Sequence, residues 1–221
     1  MKAKTLLGTI TTAEGKKFPV YTLSRSEAMA TFRPYGAALG QLAFSWNTLH
    51  DALSGIFKFV VLSPNIKIPS AIWFSSDSDF AQRKMLREAL QVADHLPKKQ
   101  SDDLMWLLNK IDESLRHKRN DVIHVPVSIT RGVLNDKLRA WVTANMQSDN
   151  PRAKRFFTNG ANLKQEFKSA LKYSETLATF AINILRSFET SGKHAWPQKP
   201  KLPHAHQKKS RKESSRQSTA K

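Results

Sequence analysis

The 221-residue chain contains no cysteine, which excludes disulfides and cysteine-ligated zinc and leaves the fold independent of redox compartment. It also lacks an apolar run of about 18 residues, the length that a membrane-spanning helix needs. Lys2 and Lys4 lead into threonine-rich sequence rather than a signal-peptide core, so the expected location is cytoplasmic, with no membrane partner. There is no glycine-rich phosphate loop, Ser-His-Asp arrangement or nucleotide fingerprint, and no cofactor or metal is expected. Acidic residues are scarce: 18 Asp and Glu face 36 Lys and Arg, a net charge of +18.

That charge is unevenly spread. Residues 193–221 carry nine Lys or Arg and one acid, a net +8, which leaves +10 on residues 1–192. The part able to fold is therefore basic too. Such a field attracts polyanions with salt-dependent affinity, and RNA is the cytoplasmic candidate; solubility alone is the plainer explanation. The 40% hydrophobic content can fill one core of ordinary size.

Residues 101–126 combine a helical pattern with a concentration of polar side chains. Ser101 stands where an N-cap belongs, Asp102 and Asp103 suit the positive end of the helix dipole, and Pro126 ends the segment. Leu104, Leu107, Leu108, Ile111, Leu115 and Val122 form one apolar stripe at helical spacing. Arg119 falls only about 40° from Leu115 on that wheel, inside the arc of the stripe. A guanidinium there needs a partner: a carboxylate, helix-terminal carbonyls or a phosphate. Asn120 and His124, at i and i+4, are neighbours on the last turn, so the amide can orient the imidazole.

Arg119, Asn120 and His124 spell Arg-Asn-x-x-x-His at the end of a helix within an all-helical pattern, which resembles the signature of the HEPN superfamily of ribonucleases and RNA-binding domains. The likeness covers about residues 34–190. It implies a mainly α, up-down helical bundle in which Arg119 and His124 are catalytic and Asn120 helps to position them. It further implies a homodimer with a composite site, metal-independent RNA cleavage by 2′-hydroxyl attack, and a role in phage defence or as a toxin with an inhibitory protein partner. A non-catalytic RNA-binding or protein-interaction module is the alternative. HEPN toxins paired with nucleotidyltransferase antitoxins carry Tyr two residues beyond the His; Pro126 stands there in this chain, so regulation by nucleotide transfer is not expected.

The remainder reads as support. Residues 5–11 and 18–23 are β-prone runs around a turn, an N-terminal hairpin that needs a surface to pack on. Ser24 caps a short helix over 25–32, ended by Pro34, so that 1–33 form hairpin and connector, 34–192 the bundle, and 193–221 a disordered basic tail. Tyr35, Leu39, Leu42, Trp46, Leu49, Leu53, Ile56 and Val60 make a heptad seam over 34–62, with Asn47, His50 and Asp51 off it. Residues 63–76 read as a loop with Ile72, Trp73 and Phe74 as its plug. Asp77 or Ser78 opens a helix to about Leu96, with Phe80, Leu86, Ala89, Leu90 and Ala93 inward. The last helix, about 162–190, carries a matching seam from Leu163 to Phe188. The two seams are expected to pair antiparallel.

Between Val125 and Asn162 the period is mixed: 125–130 and 138–143 read as two strands or as short helical pieces, and irregular structure with some strand is expected. Arg131, Lys137, Arg139, Arg152, Lys154 and Arg155 lie there beside Trp141, Phe156 and Phe157, a pattern that suits a single-stranded nucleic-acid surface or a basic rim over core aromatics. Arg116 and Lys118 are phosphate contacts or solvated charges. His117, Asp121 and His124, at i, i+4 and i+7, are a competing metal-ligand pattern without an evident fourth ligand.

Overall fold

In a computed structural model of the full chain, the described residues are 6–11, 15, 17–134, 137–145, 148–158, 163–190 and 193–203. Strands β1 (Leu6–Thr11) and β2 (Lys17–Tyr21) precede α1 (Arg25–Val61), α2 (Lys67–Phe74), α3 (Asp79–Val92) and α4 (Lys98–Lys110). A π-helical turn, Ile111–Leu115, joins α4 to α5 (Arg116–Ile123); β3 (Val127–Leu134), β4 (Lys137–Ala144), α6 (Pro151–Thr158) and α7 (Leu163–Glu189) follow. The protein is mainly helical, as the periodicity predicts. No helix among the described residues is long and apolar enough to cross a membrane.

The strands form one antiparallel sheet in the order β1-β2-β3-β4. The N-terminal hairpin therefore packs on the second hairpin, the surface it needed. Val20 pairs with Gly132, where a Cβ would stand 2.9 Å from the Pro19 carbonyl oxygen and 3.0 Å from the Trp141 ring. Only glycine permits that approach.

Ser24 caps α1 in a complete capping box with Glu27, but the helix does not stop at Pro34. It runs straight through it to Val61. An interior proline costs roughly 3 kcal/mol of helix propensity; here Tyr35, Ala38, Leu39 and Leu42 pack against the cluster containing Phe167 and Phe156 and offset it. The expected boundary between residues 33 and 34 thus falls inside one helix.

The seams on α1 and α7 do meet, in the opposite sense to the expectation. Tyr35 lies against Phe167, the Ser45 hydroxyl donates to Ser174 Oγ at 2.9 Å, and Phe59 stacks on Phe188. Both series ascend together, so α1 and α7 are parallel. Trp46 meets Asp79 and His50 meets Arg83, so α3 runs the same way. Arg83 and Arg87 reach back to Asp112 and Asn109, so the α4–α5 rod alone opposes the other three. A simple up-down order is corrected accordingly. Residues 62–78 make the return possible, and they are not a plain loop: α2 descends beside α1, with Trp73 buried at 5.3 Å from Phe57. Ile72 and Phe74, expected in the plug, face outward, because a single turn of helix cannot aim three successive side chains inward.

Two further corrections concern ends. Helix α4 begins at Lys98 after Pro97, and Ser101 lies inside the first turn. The reason is Asp103, which is buried and accepts from Lys99 Nζ at 2.9 Å across an i,i+4 pair. The same carboxylate takes Trp196 Nε1 at 2.9 Å and Lys199 Nζ at 2.8 Å. Residues 193–203, expected to be disordered, therefore strap onto α4 and α7, with Trp196 edge-on to Phe188. The rest of the expected tail, 204–221, lies outside the described residues.

Two buried clusters result. The larger joins α1, α3, α4, the π turn and α7 around Leu53, Leu107 and Leu177; the smaller joins α1, α5, the sheet, α6 and α7 around Leu42, Val122 and Phe167. Leu115 belongs to the first and Val122 to the second. Arg119 lies between them.

Candidate functional site

All six residues of the stripe from Leu104 to Val122 are buried, so Arg119 is carried inward as its position predicts. Its guanidinium carbon lies 4.7 Å from the centre of the Trp46 ring, and its Nη1 donates to Asn120 Oδ1 at 3.1 Å. Its Nε is buried and has no hydrogen-bond partner. Among the described residues, neither a carboxylate nor a helix carbonyl supplies the partner expected from the sequence.

His124 is the exposed C-cap of α5, its backbone N–H donating to the Asn120 carbonyl oxygen at 3.1 Å. The amide side chain of Asn120 was expected to orient the imidazole; it bonds Arg119 instead. His124 is the last residue held by a helical i,i+4 bond, and its φ of −99° and ψ of 9° turn the chain out of the helix.

Beneath Trp46 lies a network that the sequence reading missed. Trp46 Nε1 donates to Asp79 Oδ2 at 2.8 Å. Arg83, only 1% exposed, donates from Nε to Asp112 Oδ1 at 2.9 Å and from Nη1 to His50 Nε2 at 3.1 Å, and faces Trp46 at 5.6 Å. Arg87 joins Asn109 and Asp112. Arginine has no acceptor, so the His50 proton resides on Nδ1, which is buried, 3.9 Å from Asp79 Oδ1 and without a hydrogen bond. Burial pushes the His50 imidazole down to about 4; Asp79 opposes this and Arg83 adds to it. The ring is neutral near pH 7. The signal was present: Arg83 shares the inward face of α3 with Leu86 and Leu90 at three and seven residues' spacing. An arginine on an apolar stripe needs a carboxylate, and the π turn presents Asp112 for it. Of the three polar residues expected off the α1 seam, His50 alone is drawn in; Asn47 and Asp51 are exposed.

The expected RNA-contacting residues divide. Arg116 stands 5.7 Å over Phe80, and Lys118 lies 5.8 Å from the Tyr173 ring centre. Arg152 reaches Asp121 of α5 at 3.8 Å, which brings α6 beside the same rod. Arg131 is engaged elsewhere, with Glu27 at 2.9 Å and the Thr22 carbonyl. Lys154 pairs with Asp149 at 3.0 Å, Arg139 is exposed on β4, and Arg155 lies on α6. Phe156 is buried and Trp141 covers Gly132. These two aromatics pack within the fold instead of forming an open platform. Phe80, expected inward, is 53% exposed; the buried face of α3 is set instead by Gln82, Arg83, Leu86 and Leu90. The competing metal pattern does not assemble: no group of three His, Asp or Glu converges among the described residues, and Asp121 faces Arg152.

The site is thus a corner where Arg116 and Arg119 of α5 meet Phe80 at the start of α3 and Trp46 in the middle of α1, with positive charge in excess. Comparison with protein-family models, curated proteins and solved structures finds no match to this chain.

Proposed function

We propose that the protein is a HEPN-like, metal-independent endoribonuclease whose active residues are Arg119, Asn120 and His124. One observation carries the reading: a partly buried guanidinium, braced by Trp46 and Asn120 and with no carboxylate partner among the described residues, stands on the helix that ends at an exposed histidine. Such a donor suits a phosphoryl oxygen. In the proposed reaction the ribose 2′-oxygen attacks its own phosphodiester. The bond from O2′ to phosphorus forms, the bond to the 5′-oxygen breaks, and a cyclic phosphate and a 5′-hydroxyl result. His124 moves the proton and Arg119 stabilises the charge growing on the phosphoryl oxygens. A homodimer would set two copies of this corner face to face, and a protein inhibitor is the natural restraint on such an activity.

A second reading, a non-catalytic module for RNA or a protein partner, is favoured by the outward apolar side chains of α2 and its flanks, Ile66, Ile68, Ile72 and Phe74. Purified protein incubated with RNA in excess EDTA, beside Arg119→Ala and His124→Ala, separates the two. Cleavage that survives chelation, leaves cyclic phosphate and falls at least 100-fold in both variants is expected for the ribonuclease. Binding without cleavage by wild type supports the module, and cleavage abolished by EDTA overturns metal independence.

A further inference from the structure

Next to Arg119 the same corner holds an exposed aromatic ring with a cation against it. Phe80 is the second residue of α3, following the Asp79 that anchors Trp46 under Arg119. Its ring is more than half exposed, and the Arg116 guanidinium carbon lies 5.7 Å from its centre. Arg116 and Arg119, at i and i+3, project to the same side of α5.

Charge bookkeeping shows what is missing. Asp112 is taken by Arg83 and Arg87, and Asp79 by the Trp46 indole. Arg116 and Arg119 have no carboxylate partner among the described residues, and both act on this corner: Arg116 opposes the charge on Arg83, and Arg119 that on His50. Two guanidinia without a carboxylate therefore share one side of α5, Arg116 against the exposed Phe80 ring and Arg119 over the Trp46 that Asp79 anchors. An anion alone would not call for the ring, and an apolar peptide would not call for the two cations. A phosphate joined to a planar base satisfies both.

We infer that Phe80, Arg116 and Arg119 form a subsite for one unpaired nucleotide, its base stacked on Phe80 and its phosphate against the two arginines. This rests on the ribonuclease reading only for its purpose; the site can exist without cleavage. The ring accepts a base only when that base is free of its partner, so the site selects single strands over duplex.

The experiment uses the full chain and a fluorescent 2′-deoxy adenine oligonucleotide, which cannot be cleaved by 2′-hydroxyl attack. Affinity is measured by anisotropy for the single strand, for its duplex with the complementary strand, and for adenosine monophosphate as competitor. Phe80→Ala and Phe80→Leu are each expected to lose about tenfold for the single strand without changing its salt dependence, whereas Phe80→Trp retains affinity. Arg116→Ala should weaken binding and lower the salt slope by about one. Equal binding by all Phe80 variants, or equal affinity for duplex, overturns the subsite. Affinity retained by Phe80→Leu also overturns it, since simple apolar contact, as with a docked protein, would then suffice. Competition by the mononucleotide at the oligonucleotide's own affinity assigns the subsite to free nucleotides; failure to compete assigns it to a strand. Phe80-dependent binding without RNA cleavage by wild type sinks the ribonuclease reading and leaves this one standing.

Discussion

The guanidinium of Arg119 rests 4.7 Å above the Trp46 indole, whose Nε1 is fixed by Asp79 at 2.8 Å. Replacing the indole separates its two roles. Trp46→Phe keeps a ring under Arg119 and loses the hydrogen bond to Asp79, for a cost of about 1 kcal/mol. Trp46→Ala also opens a cavity in the larger cluster and should cost about 3–5 kcal/mol. Urea unfolding measures both, and equal losses would contradict the packing described.

Direction in the bundle is open to a covalent test because the chain has no cysteine of its own. The Ser45 and Ser174 hydroxyls are buried and 2.9 Å apart. A Ser45→Cys, Ser174→Cys double variant is expected to form an internal disulfide on mild oxidation, seen as a faster-migrating monomer on non-reducing gels. Ala38→Cys paired with Ser187→Cys, the start of one seam and the end of the other, which an antiparallel arrangement would bring together, should not. The reverse outcome would refute parallel α1 and α7.

Asp103 holds the strap of residues 193–203. Burial alone would raise its carboxyl, but hydrogen bonds from Lys199, Lys99 and Trp196 outweigh that and hold it below the ordinary carboxylate value. Asp103→Ala leaves the Trp196 N–H without its acceptor and should cost about 2 kcal/mol. The strap would then open to trypsin at Lys193 and Lys201, read by mass spectrometry well before the bundle is cut. Unchanged digestion would show that the apolar contacts of Trp196 hold the strap alone.

His50 predicts a pH dependence of stability. Its folded value of about 4 lies below the ordinary 6.5, so between these values the unfolded chain binds a proton that the folded one refuses. Stability is thus unaffected above about 6.5 and declines as pH falls toward about 4, by up to about 3 kcal/mol. Asp103, by contrast, acts only below the carboxylate range. Urea unfolding at pH 4.5 and 7 should show the decline in wild type and a smaller one in His50→Gln. An identical slope in the two proteins would rule His50 out as its source.

Some of this is readable in the sequence alone. The stripe from Leu104 to Val122 and the inward position of Arg119 needed only the helical period, because a long helix with one apolar face has one way to turn it. The β-hairpin was visible in its alternation, and the second hairpin partly so. Phe80 and Arg83 were not, although both lie on a helix that was recognised: on α3 the apolar pattern pointed Phe80 inward, and the buried arginine takes its meaning from Asp112, 29 residues away. Nor was Asp103 legible as the anchor of the C-terminal strap, since its second and third partners come from almost a hundred residues downstream.

The sequence by itself determined the helical class, the apolar faces of α1, α4, α5 and α7, the excess of positive charge and the presence of Arg119, Asn120 and His124 at one helix end. These follow from composition and from periods of a few residues, which are local. Tertiary structure decided that α1 and α7 run parallel, that α1 continues through Pro34, that Trp46 lies under Arg119, and that Phe80 is left in solvent beside Arg116. An apolar stripe packs equally well in either direction. The choice falls to long-range contacts, here the return of the chain through α2 and the demand of buried Arg83 and Asp103 for partners from other elements.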